Sequence, residues 1–298
     1  MLDAYALVLL LLALGKLCQV GNLFTDSAAE SLNRFVIVVA LPGLVLQVVP
    51  GMTFTFDVFK LALLPYACSA VVGGAVWWLC ARLGFERATQ VTLTALSSIG
   101  NTAFLGYPMV QALLGESALP YALVFDQMGS FVLLAVGVPW LILANTAQTE
   151  KVSGARQFLN LLKFPPLWAL LLGLLIAPLS GIADSISAAL AATVVPITCF
   201  AVGLKLKFRL PKADLAALGI GLVAKLLAFP ALAWMLAHAL GLDPLAISVA
   251  ALQAGMPAMI SAAALLSAAQ LKPELGAALV SYGLLLAMVT LPLIAYIA

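Results

Sequence analysis

Ser98-Ile99-Gly100-Asn101-Thr102-Ala103-Phe104-Leu105-Gly106-Tyr107-Pro108 is a polar, glycine- and proline-bearing interruption in a run that otherwise reads as a membrane-spanning helix. Its flanks, Val91 to Leu96 and Met109 to Leu114, are apolar on both sides, which places the break at membrane depth. Irregular backbone is tolerated there only when protein buries it or it lines a cavity, because hydrocarbon offers no hydrogen-bond partners. Asn101 therefore marks a candidate substrate or ion site.

Of the 298 residues, 64% are hydrophobic and only 9% charged, and the mean hydropathy is +1.17. These values lie outside the range of soluble domains and predict an all-α polytopic membrane protein. No basic cluster with interleaved aromatics points to nucleic acid. Cys18, Cys68, Cys80 and Cys199 all lie in apolar runs without metal-ligand spacing, and read as small buried hydrophobes. With one histidine, no His/Cys metal set is expected. The first segment, Tyr5 to Val20, has no basic stretch ahead of it and begins Met-Leu-Asp, so it is read as a retained span and not a signal peptide.

A span needs about 20 apolar residues. Ten are predicted, over 4–22, 33–50, 58–83, 88–115, 119–146, 161–178, 185–206, 213–240, 244–270 and 274–297. Placing the N-terminus outside puts Arg34, then Arg82 and Arg87, then Lys151, Arg156 and Lys163, then Lys205, Lys207, Arg209 and Lys212, then Lys272 on the cytoplasmic side, leaving Lys60 opposite. Lysine and arginine concentrate in short cytoplasmic loops. The pattern thus predicts an even span count with both termini on the outer, periplasmic side.

The longest hydrophilic connection, 145–160, divides the chain into a first five-helix repeat (1–146), a cytoplasmic linker (147–160) and a second repeat (161–298). Five is odd, so the second half runs inverted through the membrane, a 5+5 inverted repeat. Trp77, Leu79, Leu83 and Gly84 recur as Trp234, Leu236, Leu240 and Gly241, each pair 157 residues apart (234 − 77). The ninth span is interrupted in turn by Gln253-Ala254-Gly255-Met256-Pro257, at the place equivalent to the Asn101 break. Two interrupted helices in corresponding positions of inverted halves point to a midplane binding site. Pro42, Pro139, Pro230 and Pro292 read instead as kinks.

Asn101-Thr102-Ala103-Phe104-Leu105-Gly106-Tyr107-Pro108, Ala40-Leu41-Pro42 and Met256-Pro257-Ala258, with the ten-span layout, resemble the auxin efflux carrier family, in particular its bacterial, malonate-permease-like members. The resemblance covers essentially the whole chain. It implies a fold similar to bile-acid:sodium symporters, in which spans 1, 2, 6 and 7 form a scaffold and spans 3–5 and 8–10 form a mobile transport core containing two broken, crossing helices. It also implies a homodimer through the scaffold. Two positions depart from the family pattern: Ser267-Ala268-Ala269-Gln270 lacks its charged and aromatic pair, and Tyr282 replaces a small hydroxyl residue. The coupling ion stays open between Na+ and H+.

A broken helix offers free N–H groups to an anion and free carbonyls to a cation. The predicted substrate-binding residues are Asn101, Thr102, Gly106 and Pro108 from the first break, with Gln253, Met256 and Pro257 from the second. Asn101 can donate and accept, although capping the broken helix would by itself account for an Asn. Asp126 and Lys225 are charges at membrane depth in the fifth and eighth spans, which normally face the bundle interior and pair with something. Either they serve ion coupling and substrate charge, or they form a static pair bracing the core. Gln47 is a secondary candidate, His238 belongs at the interface, the five tryptophans read as lipid-interface anchors, and Lys205, Lys207, Arg209 and Lys212 as a topology signal with secondary anionic-lipid contact.

The sequence therefore predicts a secondary transporter of a small organic anion, embedded in lipid of the bacterial inner membrane and working by movement of the core against the scaffold. The alternative within transport is a sodium- or proton-coupled carrier of a neutral or sterol-like solute. No Gly-x-x-x-x-Gly-Lys, Gly-x-Ser-x-Gly or His-Glu-x-x-His motif appears, so neither ATP drive nor an intramembrane enzyme is expected, and no cofactor. A channel would require a continuous polar stripe, whereas the polar residues cluster at two breaks.

Overall fold

The computed structural model describes residues 2–25, 27–52, 55–145, 164–208 and 214–298. In chain order its helices are α1 (Leu2–Val20), α2 (Ala28–Gly51), α3 (Phe56–Arg82), α4 (Arg87–Ser98), α5 (Gly106–Leu114) and α6 (Glu116–Leu143). Then follow α7 (Pro165–Gly173), α8 (Gly181–Lys205), α9 (Leu215–Ala239), α10 (Pro244–Ala254), α11 (Ile260–Ala268) and α12 (Pro273–Ile297). Seven of these, α1, α2, α3, α6, α8, α9 and α12, are long and apolar enough to cross a membrane. The described residues form no sheet, and a single antiparallel bridge joins Gly100 to Ala258.

The predicted span at 88–115 resolves into α4 and α5 around 99–105, and that at 244–270 into α10 and α11 around 255–259. Among the described residues, the predicted span at 161–178 appears as α7, nine residues long, because the chain turns at 174–176 and stays non-helical up to Gly181. At about 1.5 Å per residue α7 covers less than half of a hydrocarbon core about 30 Å thick. The linker 147–160, with Lys151, Arg156, Lys163, Arg209 and Lys212, lies outside the described residues.

Three of the four proline kinks take one form. The five residues 36–40, 133–137 and 224–228 are π-helical turns, each ending two residues before Pro42, Pro139 or Pro230. Proline lacks an N–H and its ring collides with the carbonyl four residues back, and widening the preceding turn relieves both problems. Pro292 sits inside the continuous helix α12 without such a turn. A fourth π turn, Phe125–Ser130, contains Asp126 and has no proline behind it.

The helices pack in two groups. In one, α1 lies along α8, and α2 packs against both α7 and the first half of α8. The α1–α8 contact is backbone to backbone: a Cβ on Gly15 would meet the Phe200 carbonyl oxygen at 2.3 Å, and one on Gly203 would meet that of Leu12 at 2.3 Å. Small residues that admit such approach are the usual means of helix association in lipid. In the other group α3, α4, α6, α9, α10, α11 and α12 enclose a core that includes Leu61, Leu93, Phe125, Ala250 and Leu279. α5 bridges the two groups by packing on α1 as well as on α6 and α10. A hydroxyl also spans them, Tyr5 donating to the Met288 carbonyl of α12.

Candidate functional site: the crossing of two interrupted helices

Each interruption supplies what the other lacks. The Asn101 N–H donates to the Pro257 carbonyl at 2.8 Å, and the Met259 N–H donates to the Ile99 carbonyl at 3.2 Å. Unpaired, each of these groups would cost several kcal/mol at membrane depth, so the two breaks hold each other in place. Gly100 and Gly106 make the approach possible. A Cβ on Gly100 would stand 3.2 Å from both Lys225 Nζ and the Met256 carbonyl oxygen, and one on Gly106 would stand 2.2 Å from Gln253 Oε1. Any larger residue at 106 would occupy the space of the Gln253 amide.

The structure brings the predicted substrate-binding residues into one place. Gln253 Nε2 donates to the Thr102 and Ala122 carbonyls, each at 3.3 Å. That fixes the amide's orientation, since the reverse would set its oxygen against two carbonyls. Met256 is buried, and Pro257 contributes its carbonyl to the crossing. Pro108 occupies the first turn of α5, where a missing N–H costs nothing. Asn101 does not cap the broken helix with its side chain. Its main-chain carbonyl does so, accepting from the N–H groups of Gly106 (3.0 Å) and Leu105 (3.3 Å). The Oδ1 of Asn101 and the Oε1 of Gln253 are buried acceptors without a donor.

Asp126 and Lys225 flank the crossing, each only 2% exposed, and no salt bridge joins them. The expected pairing is therefore replaced by two separate arrangements. Asp126 accepts from Thr102 Oγ1 at 2.5 Å on one oxygen, and from Tyr107 OH at 2.6 Å and Gln127 Nε2 at 2.8 Å on the other. The Gln127 amide also reaches the Tyr107 hydroxyl at 3.2 Å. Thr102 and Tyr107 both come from the break, so the carboxylate ties the fifth predicted span to the first interruption. Lys225 Nζ donates to the Ala254 carbonyl at 2.6 Å and lies 4.2 Å from the Phe229 ring centroid. The carbonyl belongs to the last residue of α10, where the helix leaves acceptors free. Its ammonium is thus met by a helix end and a π face, and by no carboxylate among the described residues.

Sequence reading missed Tyr107 and Gln127 as partners of Asp126. Both were in view, Gln127 adjacent to Asp126 and Tyr107 inside the motif, and a buried carboxylate needs such donors. The secondary candidates lie elsewhere. Gln47 donates to Asp184 at 3.0 Å and accepts from Ser187, bracing α2 against α8. His238 is exposed and stacks edge-on against Trp234 at 4.5 Å. Trp78, Trp140 and Trp168 are more than half exposed, as expected of anchors in lipid.

Comparison with known proteins places the chain among membrane transporters. An uncharacterized transporter of Methanothermobacter thermautotrophicus is 30% identical over 293 residues, covering 96% of this chain and 94% of that protein. An uncharacterized transporter of Methanocaldococcus jannaschii is 25% identical over 271 residues, covering 86% of this chain and 85% of that protein. A family described as membrane transport protein matches residues 1–295. This chain, with its two mutually bonded helix breaks, accordingly belongs to that family of membrane transport proteins, the auxin efflux carriers, and is a transporter and not an enzyme.

Proposed function

We propose that this transporter carries a small organic anion, a carboxylate such as malonate or an auxin-like acid, by elevator-type alternating access. The observation that carries the reading is Lys225: a buried ammonium beside Gly100 at the crossing, with no carboxylate among the described residues in a salt bridge with it. A charge in that position is costly unless something of opposite sign joins it. A substrate carboxylate would do so while its remaining oxygens face the N–H groups of the broken helices.

The seven long helices, the pairs α4/α5 and α10/α11, and α7 represent, on this proposal, the ten spans of a 5+5 inverted repeat. In this reading α1, α2, α7 and α8 are the scaffold, and the rest, the crossing included, is the moving core. Both termini face the outside of the inner membrane, and two copies associate through the scaffold. A second reading, a Na+- or H+-coupled carrier of a neutral or sterol-like solute, draws support from the unpartnered oxygens of Asn101 and Gln253, which suit a cation.

Uptake of labelled malonate and of an indole carboxylate into proteoliposomes, under imposed pH or sodium gradients, tests the choice. Saturable uptake that other carboxylates compete for, and that Lys225→Gln abolishes, is expected. Saturable uptake of a neutral lipophilic solute that carboxylates leave untouched would overturn the anion reading.

A further inference from the structure

A second cationic region lies away from the crossing. A cavity of about 370 Å³ opens between the two packing groups, at the end of the molecule where α1 and α8 finish and α12 begins. Gln19, Asn22, Lys205 and Lys207 line it from one group, and Ser267 and Ser281 from the other. Ile260, the first residue of α11 and so the next helical residue after the second break, also faces it. The cavity thus extends from the helix ends to the foot of the crossing. Its volume is in the range of small-molecule sites, and its polar groups are ammonium, amide and hydroxyl set in a wall that is otherwise apolar, Leu204 and Val280 included.

Lysines at helix ends ordinarily extend to lipid headgroups or cytoplasm. Here their surroundings differ. Lys207 is fixed against the opposite group, its main-chain N–H donating to Ser281 Oγ at 3.1 Å. Neither Lys205 nor Lys207 forms a salt bridge among the described residues, although Glu30 acts on Lys205 through space. The neighbouring cation Lys16 is already engaged, donating to the Leu206 carbonyl at 2.8 Å and Gln19 Oε1 at 2.6 Å. Two ammoniums outside any salt bridge among the described residues therefore line a cavity walled by protein on both sides, which reaches α11 at the residue that follows the second break.

We propose that this cavity is a holding site for the organic anion, in which Lys205 and Lys207 collect a carboxylate from one face of the membrane before it reaches Lys225 at the crossing. The inference rests on the anion reading above. A dicarboxylate, able to meet both ammoniums at once, is held more tightly than a monocarboxylate. Because the site lies on the path and not at the point of translocation, its loss raises KM and leaves the maximal rate intact.

The test is malonate uptake from the lysine-bearing face in vesicles of pure phosphatidylcholine and in vesicles containing phosphatidylglycerol. The double variant Lys205→Gln/Lys207→Gln is expected to raise KM about tenfold or more with little change in maximal rate, in both lipids, and to flatten the dependence of KM on salt. Lys205→Arg/Lys207→Arg restores KM, and Asn22→Asp, which sets a negative charge in the cavity without touching either lysine, raises it. An unchanged KM in the double variant, with wild-type malonate uptake intact, would overturn the holding site and leave the anion reading standing. An effect confined to vesicles with phosphatidylglycerol would overturn it in favour of headgroup binding. Failure of the wild type to transport any carboxylate would remove the anion reading and this inference together.

Discussion

The surroundings of Asp126 and those of Lys225 differ in a way that separates structure from function. Asp126 is met by three donors from three residues, on both oxygens. Lys225 is met by one carbonyl and the face of a ring. Both charges are equally buried, so burial does not distinguish them; satisfaction does. A buried charge with complete partners stabilises the arrangement around it, whereas an incompletely partnered one is a stability cost that function retains. On the proposed anion reading, Asp126 serves the protein's own architecture and Lys225 is the group that meets the substrate.

The largest expected effect comes from breaking the satisfied side. Asp126→Ala leaves Thr102, Tyr107 and Gln127 without their common acceptor and is expected to destabilise the detergent-solubilised protein by about 1–3 kcal/mol for each buried donor left unsatisfied, read as a fall in melting temperature. Asp126→Asn keeps an acceptor oxygen and should lose markedly less. Next is the unsatisfied side: Lys225→Met should reduce carboxylate uptake by roughly a hundredfold, about 2.7 kcal/mol, while the melting temperature holds or rises. A melting temperature that collapsed in Lys225→Met would erase the contrast between the two charges.

Gly106→Ala sharpens the comparison from the backbone. Its Cβ would stand 2.2 Å from Gln253 Oε1, and displacing that amide should cost about 1–3 kcal/mol, visible in both melting temperature and uptake. The smallest effect concerns an exposed pair. Lys272 Nζ lies 2.5 Å from Glu86 and 3.3 Å from Asp214, and the hydrogen bond from Lys272 holds the Glu86 carboxyl below its ordinary range. A depressed carboxylate contributes stability above its unfolded pKa, about 4.3, and loses it as pH falls through the folded value. The melting temperature of the wild type should therefore be level from neutral pH down to about 5 and drop slightly below about 4. Glu86→Gln should abolish that drop, and equal acid sensitivity in the variant would assign the drop to another carboxylate.

The helical runs and both breaks were legible because they are local. A glycine and a proline within an apolar run declare themselves at residues 100 to 108 and 255 to 257. The partners of the charges were not legible. Whether Asp126 meets Lys225 or Tyr107 depends on how each helix is rotated about its axis, and the π turn at Phe125–Ser130 alters that rotation with no proline to announce it. The π turns before Pro42, Pro139 and Pro230 could have been anticipated from the prolines themselves. The shortness of α7 could not, since its residues are as apolar as those of a full span. Asn101 lies at the crossing, yet its main chain does the capping, and its side-chain oxygen has no donor.

The pair of hydrogen bonds between the breaks has a consequence for how the chain comes to exist at all. Residues 99 and 101 lie in the first half and 257 and 259 in the second, and each bond crosses between them. A first half released alone into the bilayer would hold its interruption open, with polar backbone and nothing to meet it. Synthesis must therefore pass Met259, to the start of α11, before the earlier break is closed. A gene divided between the halves would yield two fragments, each incomplete on its own and each carrying the groups that complete the other.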